Sequence, residues 1–413
     1  MIVKFPFSPE LKLLFKLINK DDELRIVGGC VRDFLHTTIN QNPENNKKLP
    51  DIDLACKYLP EKTIEILQSN NIKTIPTGIK HGTITALVNG KTFEITTLRK
   101  DVENYGRQAK VEFVDDFLED AKRRDFTFNA MSIDEKGNLF DYFDGLTDLK
   151  NKKVKFIGEA SARIQEDYLR ILRFFRFSCY YGAKIEATTL QEIVKFKSNL
   201  QGLSSHRIRT ELLKIMDCED KNQLLYILNL MNENQILEEI IAAKKFDLPV
   251  LKNLLEIPNS ETTLLKFCAL IYSNKEQNWP ITKKLEFSNK ERKYIHDILD
   301  LSSKVNLKTK KADLIRALFD FNKDLAVDSL KINFAANYNS NKQNLDELSD
   351  LINFINNINL PDFILNGNDI LNRGIANKLI GKALNELKNI WIEREFKISK
   401  EELLQILSSL KLS

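Results

Sequence analysis

The chain has 413 residues, with 62 lysines and arginines against 58 aspartates and glutamates, and 43% of it is hydrophobic. At roughly 150 residues per domain that length predicts two or three domains with sizeable cores, while a net charge of +4 is too small to name a nucleic-acid partner by itself. The five cysteines (Cys30, Cys56, Cys179, Cys218 and Cys268) are scattered without a Cys-x-x-Cys pair, which argues against a zinc site or a disulfide framework and for a reducing, cytoplasmic setting.

Residues 1–20 show neither a secretory signal nor a transit pattern. No stretch approaches the roughly 20 apolar residues of a membrane span, so no membrane partner is expected. Leu24–Val27 is a short apolar run that stops at Gly28-Gly29, and residues 39–50, with an Asn-Pro pair, read as a loop. Asp51-Ile52-Asp53-Leu54-Ala55 alternates polar and apolar, as a half-buried strand does. Thr83–Val88 and Lys91–Thr97 flank Asn89-Gly90, the preferred two-residue type I′ turn, and predict a β-hairpin. Beyond about residue 155 the strand signals stop. Leu and Ile recur at helical spacing to the end, as in Leu212, Leu213, Ile215 and Met216. The expected architecture is an α/β head followed by a long all-helical body.

The basic residues divide unevenly. Of 16 arginines, 12 precede residue 210, whereas the second half is basic almost entirely through lysine. Clustered Arg points to sites that need a planar guanidinium fork rather than a point charge; chance clustering on solvated helices is the alternative.

Three constellations can carry chemistry. The first is Gly28-Gly29-Cys30-Val31-Arg32-Asp33 followed by Asp51-Ile52-Asp53. A strand that ends in Gly-Gly before a helix lets backbone N–H groups approach phosphate oxygens, and Arg32 on the first turn can fork a phosphate. Two carboxylates two residues apart on a strand share a face and suit a divalent metal with a phosphate substrate. Gly-Gly alone is commonly a turn, and Asp-x-Asp alone a solvated face; their order and separation of about 20 residues make the pair informative. The second is Lys122-Arg123-Arg124-Asp125-Phe126-Thr127-Phe128-Asn129-Ala130, suited to ribose hydroxyls and phosphates or, equally, a basic helix start capped by Asp125. The third is Glu166-Asp167-Tyr168-Leu169-Arg170, continuing to Arg173 and Arg176. On one helix Asp167 and Arg170 would be neighbours at i and i+3, able to read a base edge or merely to form a surface ion pair.

Gly-Gly-x-Val-Arg-Asp, Asp-x-Asp, Arg-Arg-Asp-Phe-Thr-x-Asn-Ala and Glu-Asp-x-x-Arg-x-x-Arg, in this order, resemble the class II tRNA nucleotidyltransferase/poly(A) polymerase family. Gly78-Ile79-Lys80-His81-Gly82-Thr83 and Leu203-Ser204-Ser205-His206-Arg207-Ile208-Arg209-Thr210-Glu211-Leu212 extend the likeness, with His206 where Glu is usual. Leu365-Asn366-Gly367-Asn368-Asp369 resembles the tail of the bacterial CCA-adding branch. The resemblance implies a head of about five mixed strands with helices, then a helical neck, body and tail. It implies that Gly28, Gly29 and Arg32 hold the triphosphate and that Asp51 and Asp53 bind two Mg²⁺. Arg124 would contact the sugar or phosphates of the nucleotide. Asp167 and Arg170 would hydrogen-bond the base, with Arg173 and Arg176 supporting them. Glu94 is a possible third carboxylate, left outside the metal set.

The implied reaction is addition of CCA to the 3′ end of tRNA from CTP and ATP, with pyrophosphate released. A poly(A) polymerase or an A-adding enzyme using ATP alone is the alternative. Residues 98–113 resemble the flexible loop of full CCA-adding enzymes and argue against a CC-only enzyme. The implied divisions are a catalytic head at 1–150, a neck with the base pocket at 151–220, an RNA-binding body at 221–330 and a tRNA-binding tail at 331–413. No obligate protein partner is expected. For Arg25, Arg163, Arg207 and Arg209 a surface or structural role is the expectation.

Overall fold

A computed structural model of the chain describes residues 1–40, 51–105, 108–338 and 343–410. Most of the loop expected at 39–50, and Arg107, lie outside the described residues. The chain divides into two compact units, Met1–Ile240 and Ile241–Ser413.

The first unit opens with α1 (Pro9–Ile18), β1 (Leu24–Val27), α2 (Gly29–Ile39), β2 (Asp53–Cys56), α3 (Pro60–Ser69), β3 (Lys73–Gly78), β4 (Thr83–Val88) and β5 (Lys91–Thr97). It continues through β6 (Arg99–Tyr105), β7 (Gln108–Phe113), α4 (Phe117–Lys122), β8 (Ser132–Ile133), β9 (Leu139–Phe140) and α5 (Gly145–Lys150). Among the described residues, seven strands form one mixed sheet in the order β3-β4-β5-β2-β1-β8-β9, in which only β2 and β5 are parallel neighbours. The segments that predicted β1, β2, β4 and β5 form strands, with β2 starting at Asp53 rather than Asp51, and β1 is buried along its whole length. The β4–β5 turn holds Asn89 at φ 49° and Gly90 at φ 80°, the positive angles a type I′ turn requires. The sheet is wider than the expected five because β8 and β9, of two residues each, are too short to show a period. The mostly exposed β3 lacks a clean alternation. The segment read as a flexible loop is largely a separate antiparallel ribbon, β6 paired with β7.

From α5 onward the first unit is helical: α6 (Ala160–Glu166), α7 (Leu169–Tyr180), α8 (Ala187–Val194), α9 (Ser205–Met216), α10 (Lys221–Glu233) and α11 (Ile236–Ile241), the last ending at the unit boundary. Leu172, Phe174, Phe175 and Phe177 bury α7, and Ile208, Leu212 and Ile215 bury the face of α9 beside it. Phe126, Phe128, Phe156, Phe174, Phe177 and Tyr181 form a continuous aromatic cluster; Phe156 stacks on Phe174 at 5.6 Å and Phe126 meets Phe177 edge-on at 5.5 Å. Such offset and edge contacts add about 0.5–1.5 kcal/mol per pair beyond area burial. They make a stiff floor beneath α7.

The second unit holds ten helices among the described residues, from α12 (Leu248–Leu255) to α21 (Lys400–Leu407). Its C-terminal part packs Ile370, Leu387, Trp391 and Leu403 into one core. Asn366 and Asp369, within the motif read as the tail signature, form a reciprocal capping box at a helix start. Among the described residues no helix is long and apolar enough to cross a membrane.

Candidate active site

At the end of β1 the chain turns through Gly28 at φ 76°, a conformation that favours glycine. A Cβ there would also sit 3.4 Å from Arg124 Nη1 and 3.5 Å from Asp53 Oδ2. The backbone at the start of α2 therefore stays open to a ligand. No side chain caps this helix, so its first N–H groups face outward with the positive end of the helix dipole. Arg32 donates through Nη1 to Asn129 Oδ1 at 2.7 Å and through Nε and Nη2 to Asp33 at 2.8 and 3.0 Å. Asp33 accepts the Tyr181 hydroxyl at 3.0 Å, and the Arg32 guanidinium lies 4.7 Å above the Phe177 ring. Arg32 is thus held by the helical part of the same unit.

Asp53 opens β2, opposite Val27 on one side and in register with Glu94 on the other. Asp51 precedes the strand and is exposed. The ladder with β1 and β5 begins only at Asp53, so Asp53 alone of the pair is fixed by strand pairing. Burial, then the Glu94 carboxylate, raise the Asp53 pKa above its ordinary value; Asp51 adds to this and Arg124 partly opposes it. Among the described residues no three His, Cys, Asp or Glu side chains cage a metal. The acidic set nonetheless fits one: the mutual repulsion is what a divalent cation relieves, and a substrate's phosphates and water would complete its oxygen shell.

Arg123 and Arg124 both hold the buried Asp120 carboxylate, and Arg124 Nη1 also donates to the Asn129 carbonyl at 3.2 Å. Burial opposes ionisation of Asp120, but the two guanidiniums outweigh it and keep its pKa below the ordinary value. Asp125 behaves alike: burial is overcome by Arg173, whose Nε donates at 2.6 Å, by the Asn129 amide and by the Phe126 N–H.

Asp167 and Arg170 do not share a helix. Asp167, extended at φ −155°, ψ 106°, ends α6, and α7 begins at Leu169. Asp167 Oδ1 accepts the Leu169 N–H at 3.1 Å and Oδ2 accepts Arg207 Nη2 at 2.6 Å. Arg170 donates through Nη1 to the Arg163 carbonyl and Glu166, and through Nη2 to the Arg123 carbonyl. A guanidinium has five N–H groups, so one on Nη2 and that on Nε remain beyond these three bonds. Arg176, the third arginine along α7, pairs with the buried Glu211 of α9.

These groups meet in one cleft of about 490 Å³. Gly28, Gly29, Arg32, Asp53, Arg124, Asp167, Arg170, Arg173 and Arg176 all line it, and Asp51 does not. The cleft adds Arg123, Asp125 and Asn129, which lay in recognised motifs without assigned roles, and Arg207 and Lys214. Arg207, expected to be structural or superficial, is the partner of Asp167; only its Arg character hinted at this. Arg25 is structural as expected, buried against Asp22 and Tyr142 and lying 3.4 Å above the Phe140 ring.

Comparison with known proteins places the chain in a family. The profile of the poly A polymerase head domain matches residues 24–155, and that of the probable RNA and SrmB-binding site of polymerase A matches residues 182–242. The mitochondrial CCA tRNA nucleotidyltransferase 1 of Mus musculus is 36% identical over 414 residues, covering 96% of this chain and 89% of that protein. The CCA-adding enzyme of Oceanobacillus iheyensis is 36% identical over 238 residues, 57% of this chain and 56% of its own. The crystal structure of the Bacillus stearothermophilus CCA-adding enzyme in complex with CTP shares the fold, with a TM-score of 0.76 at 24% identity over 98% of both chains. The chain belongs to the family of CCA-adding tRNA nucleotidyltransferases and poly(A) polymerases.

Proposed function

We propose that this chain adds CCA to the 3′ end of tRNA, taking CTP and ATP as substrates without a nucleic-acid template. One observation carries the reading: the phosphate-facing Gly28, Arg32 and Asp53 and the base-facing Asp167 and Arg170 line a single cleft.

The open backbone at Gly28 and Gly29 and the fork of Arg32 receive the triphosphate. Arg124, steadied by Asp120 and the Asn129 carbonyl, faces the sugar or its phosphates. Members of this family generally depend on a divalent metal. Asp51 and Asp53 would hold two Mg²⁺, which when bound supply a more acidic RNA 3′-hydroxyl and neutralise charge at the α-phosphate. Asp53 lies between two flanking strands, in register with Val27 and Glu94, which supports this role. The 3′-hydroxyl oxygen then bonds to the α-phosphorus as the bond to pyrophosphate breaks.

At the other end, Asp167 accepts and Arg170 donates. Cytosine and adenine each present an amino donor beside a ring-nitrogen acceptor, which matches that pair. Uracil and guanine present a carbonyl beside an N–H, which sets acceptor against carboxylate and donor against guanidinium. Asp167→Ala is expected to reduce discrimination of CTP over UTP about 10–100-fold, the effect of losing one good edge contact. Single-nucleotide incorporation with each triphosphate measures it, and unchanged selectivity refutes the base-reading role.

The deciding assay incubates the protein with Mg²⁺, tRNA lacking CCA, and CTP or ATP. Two C additions followed by one A support the proposal, and long A tails on generic RNA support a poly(A) polymerase instead. Excess EDTA is expected to stop incorporation and Mg²⁺ to restore it. We also propose head, neck, body and tail divisions at residues 150, 220 and 330, and a cytoplasmic location. The five cysteines, all free and buried, suit a reducing compartment.

A further inference from the structure

Lys214 lines the cleft from α9, yet the reaction above leaves it unused. Each lining arginine has a carboxylate partner: Asp33 for Arg32, Asp120 for Arg123 and Arg124, Glu166 for Arg170, Asp125 for Arg173, Glu211 for Arg176 and Asp167 for Arg207. Lys214 is exposed and, among the described residues, has no such partner. Its charge is free for a ligand.

Its position follows from the helix. Arg207, Glu211 and Lys214 stand at i, i+4 and i+7, one stripe along α9. The stripe begins at Asp167, which Arg207 holds, and passes Arg176, which Glu211 holds. Arg176 and Arg32 lie 4.2 and 4.7 Å from the centre of the same Phe177 ring. The stripe therefore leaves the base-facing end and continues, at Lys214, past the guanidinium that neighbours Arg32.

We infer that Lys214 binds the terminal phosphates of the nucleoside triphosphate, and the pyrophosphate that replaces them, resting on the reading that the cleft takes CTP and ATP. A flexible ammonium is a point charge with rotatable donors. It follows a mobile terminal phosphate without reading the base, so its effect is the same for both nucleotides.

Lys214→Ala is expected to raise KM for CTP and for ATP alike by about fivefold, the scale of one solvent-facing ion pair, with KM for tRNA unchanged. Lys214→Arg is expected to recover most of the loss. Calorimetry with inorganic pyrophosphate is expected to show binding weakened by a similar factor in Lys214→Ala. Unchanged nucleotide KM values, a rise confined to tRNA, or a rise for one nucleotide alone would each overturn the inference. The calorimetric arm needs no turnover. Failure of the wild-type protein to incorporate either nucleotide therefore counts against the proposed function, whereas equal pyrophosphate binding by wild type and Lys214→Ala counts against Lys214.

Discussion

Asp53→Asn is expected to lower nucleotidyl transfer about 1,000-fold or more, while the melting temperature in chelator stays level or rises slightly. The first half follows from the chemistry: a metal–carboxylate anchor at the reacting phosphate contributes several kcal/mol of transition-state stabilisation, and each 1.36 kcal/mol is about tenfold in rate. The second half follows from the surroundings. Burial, Glu94 and Asp51 all disfavour the Asp53 charge, and only Arg124 favours it. An amide of the same shape removes that repulsion without opening a cavity. Leu54, fully buried next to it on β2, makes the contrast, since its truncation to Ala is expected to cost about 2–5 kcal/mol of stability. Thermal melting with incorporation kinetics checks both changes. A drop of several degrees for Asp53→Asn would make the residue part of the scaffold rather than of the chemistry.

Glu211→Ala is expected to destabilise the protein by roughly 3 kcal/mol, the low end for breaking a buried ion pair from one side. Arg176 Nη1 lies 2.9 Å from both Glu211 oxygens, with hydrogen-bond geometry only toward Oε1. Burial already lowers the Arg176 pKa, and Glu211 opposes that shift. Without Glu211 a guanidinium is left half-desolvated beside Arg173 and Arg32. The same vacancy draws an anion, so CTP is expected to recover more stability in the variant than in the wild type. Urea denaturation with and without CTP measures both terms, and equal CTP stabilisation in the two proteins would refute the link between this pair and the cleft.

Composition and periodicity made the architecture legible where burial is one-sided or complete. The apolar β1, the alternating β4 and β5 around Asn89-Gly90, and the helical second half all carry their own period. Local pattern misled at Asp167. Helical spacing continues from Glu166 into Phe177, so one helix was the natural reading, and neither Gly nor Pro marks the break. The break is made by Asp167 itself, whose carboxylate caps Leu169; Asp ahead of an apolar run is a start signal as well as a member of a face. Arg207 was hidden for another reason. Its partner lies 40 residues earlier in the chain, and only tertiary packing of α9 on α7 brings them together. Arg163 falls between these cases: it donates to Glu166, which in turn holds Arg170, so its structural role supports Arg170.

Helix α7 ties the two ends of the cleft into a single heritable piece. Arg170 stands near its start, while Phe177 and Tyr181 at its far end seat Arg32 and Asp33. On the proposed roles, a substitution that tilts or loosens this helix is expected to disturb letter choice and phosphate handling at once.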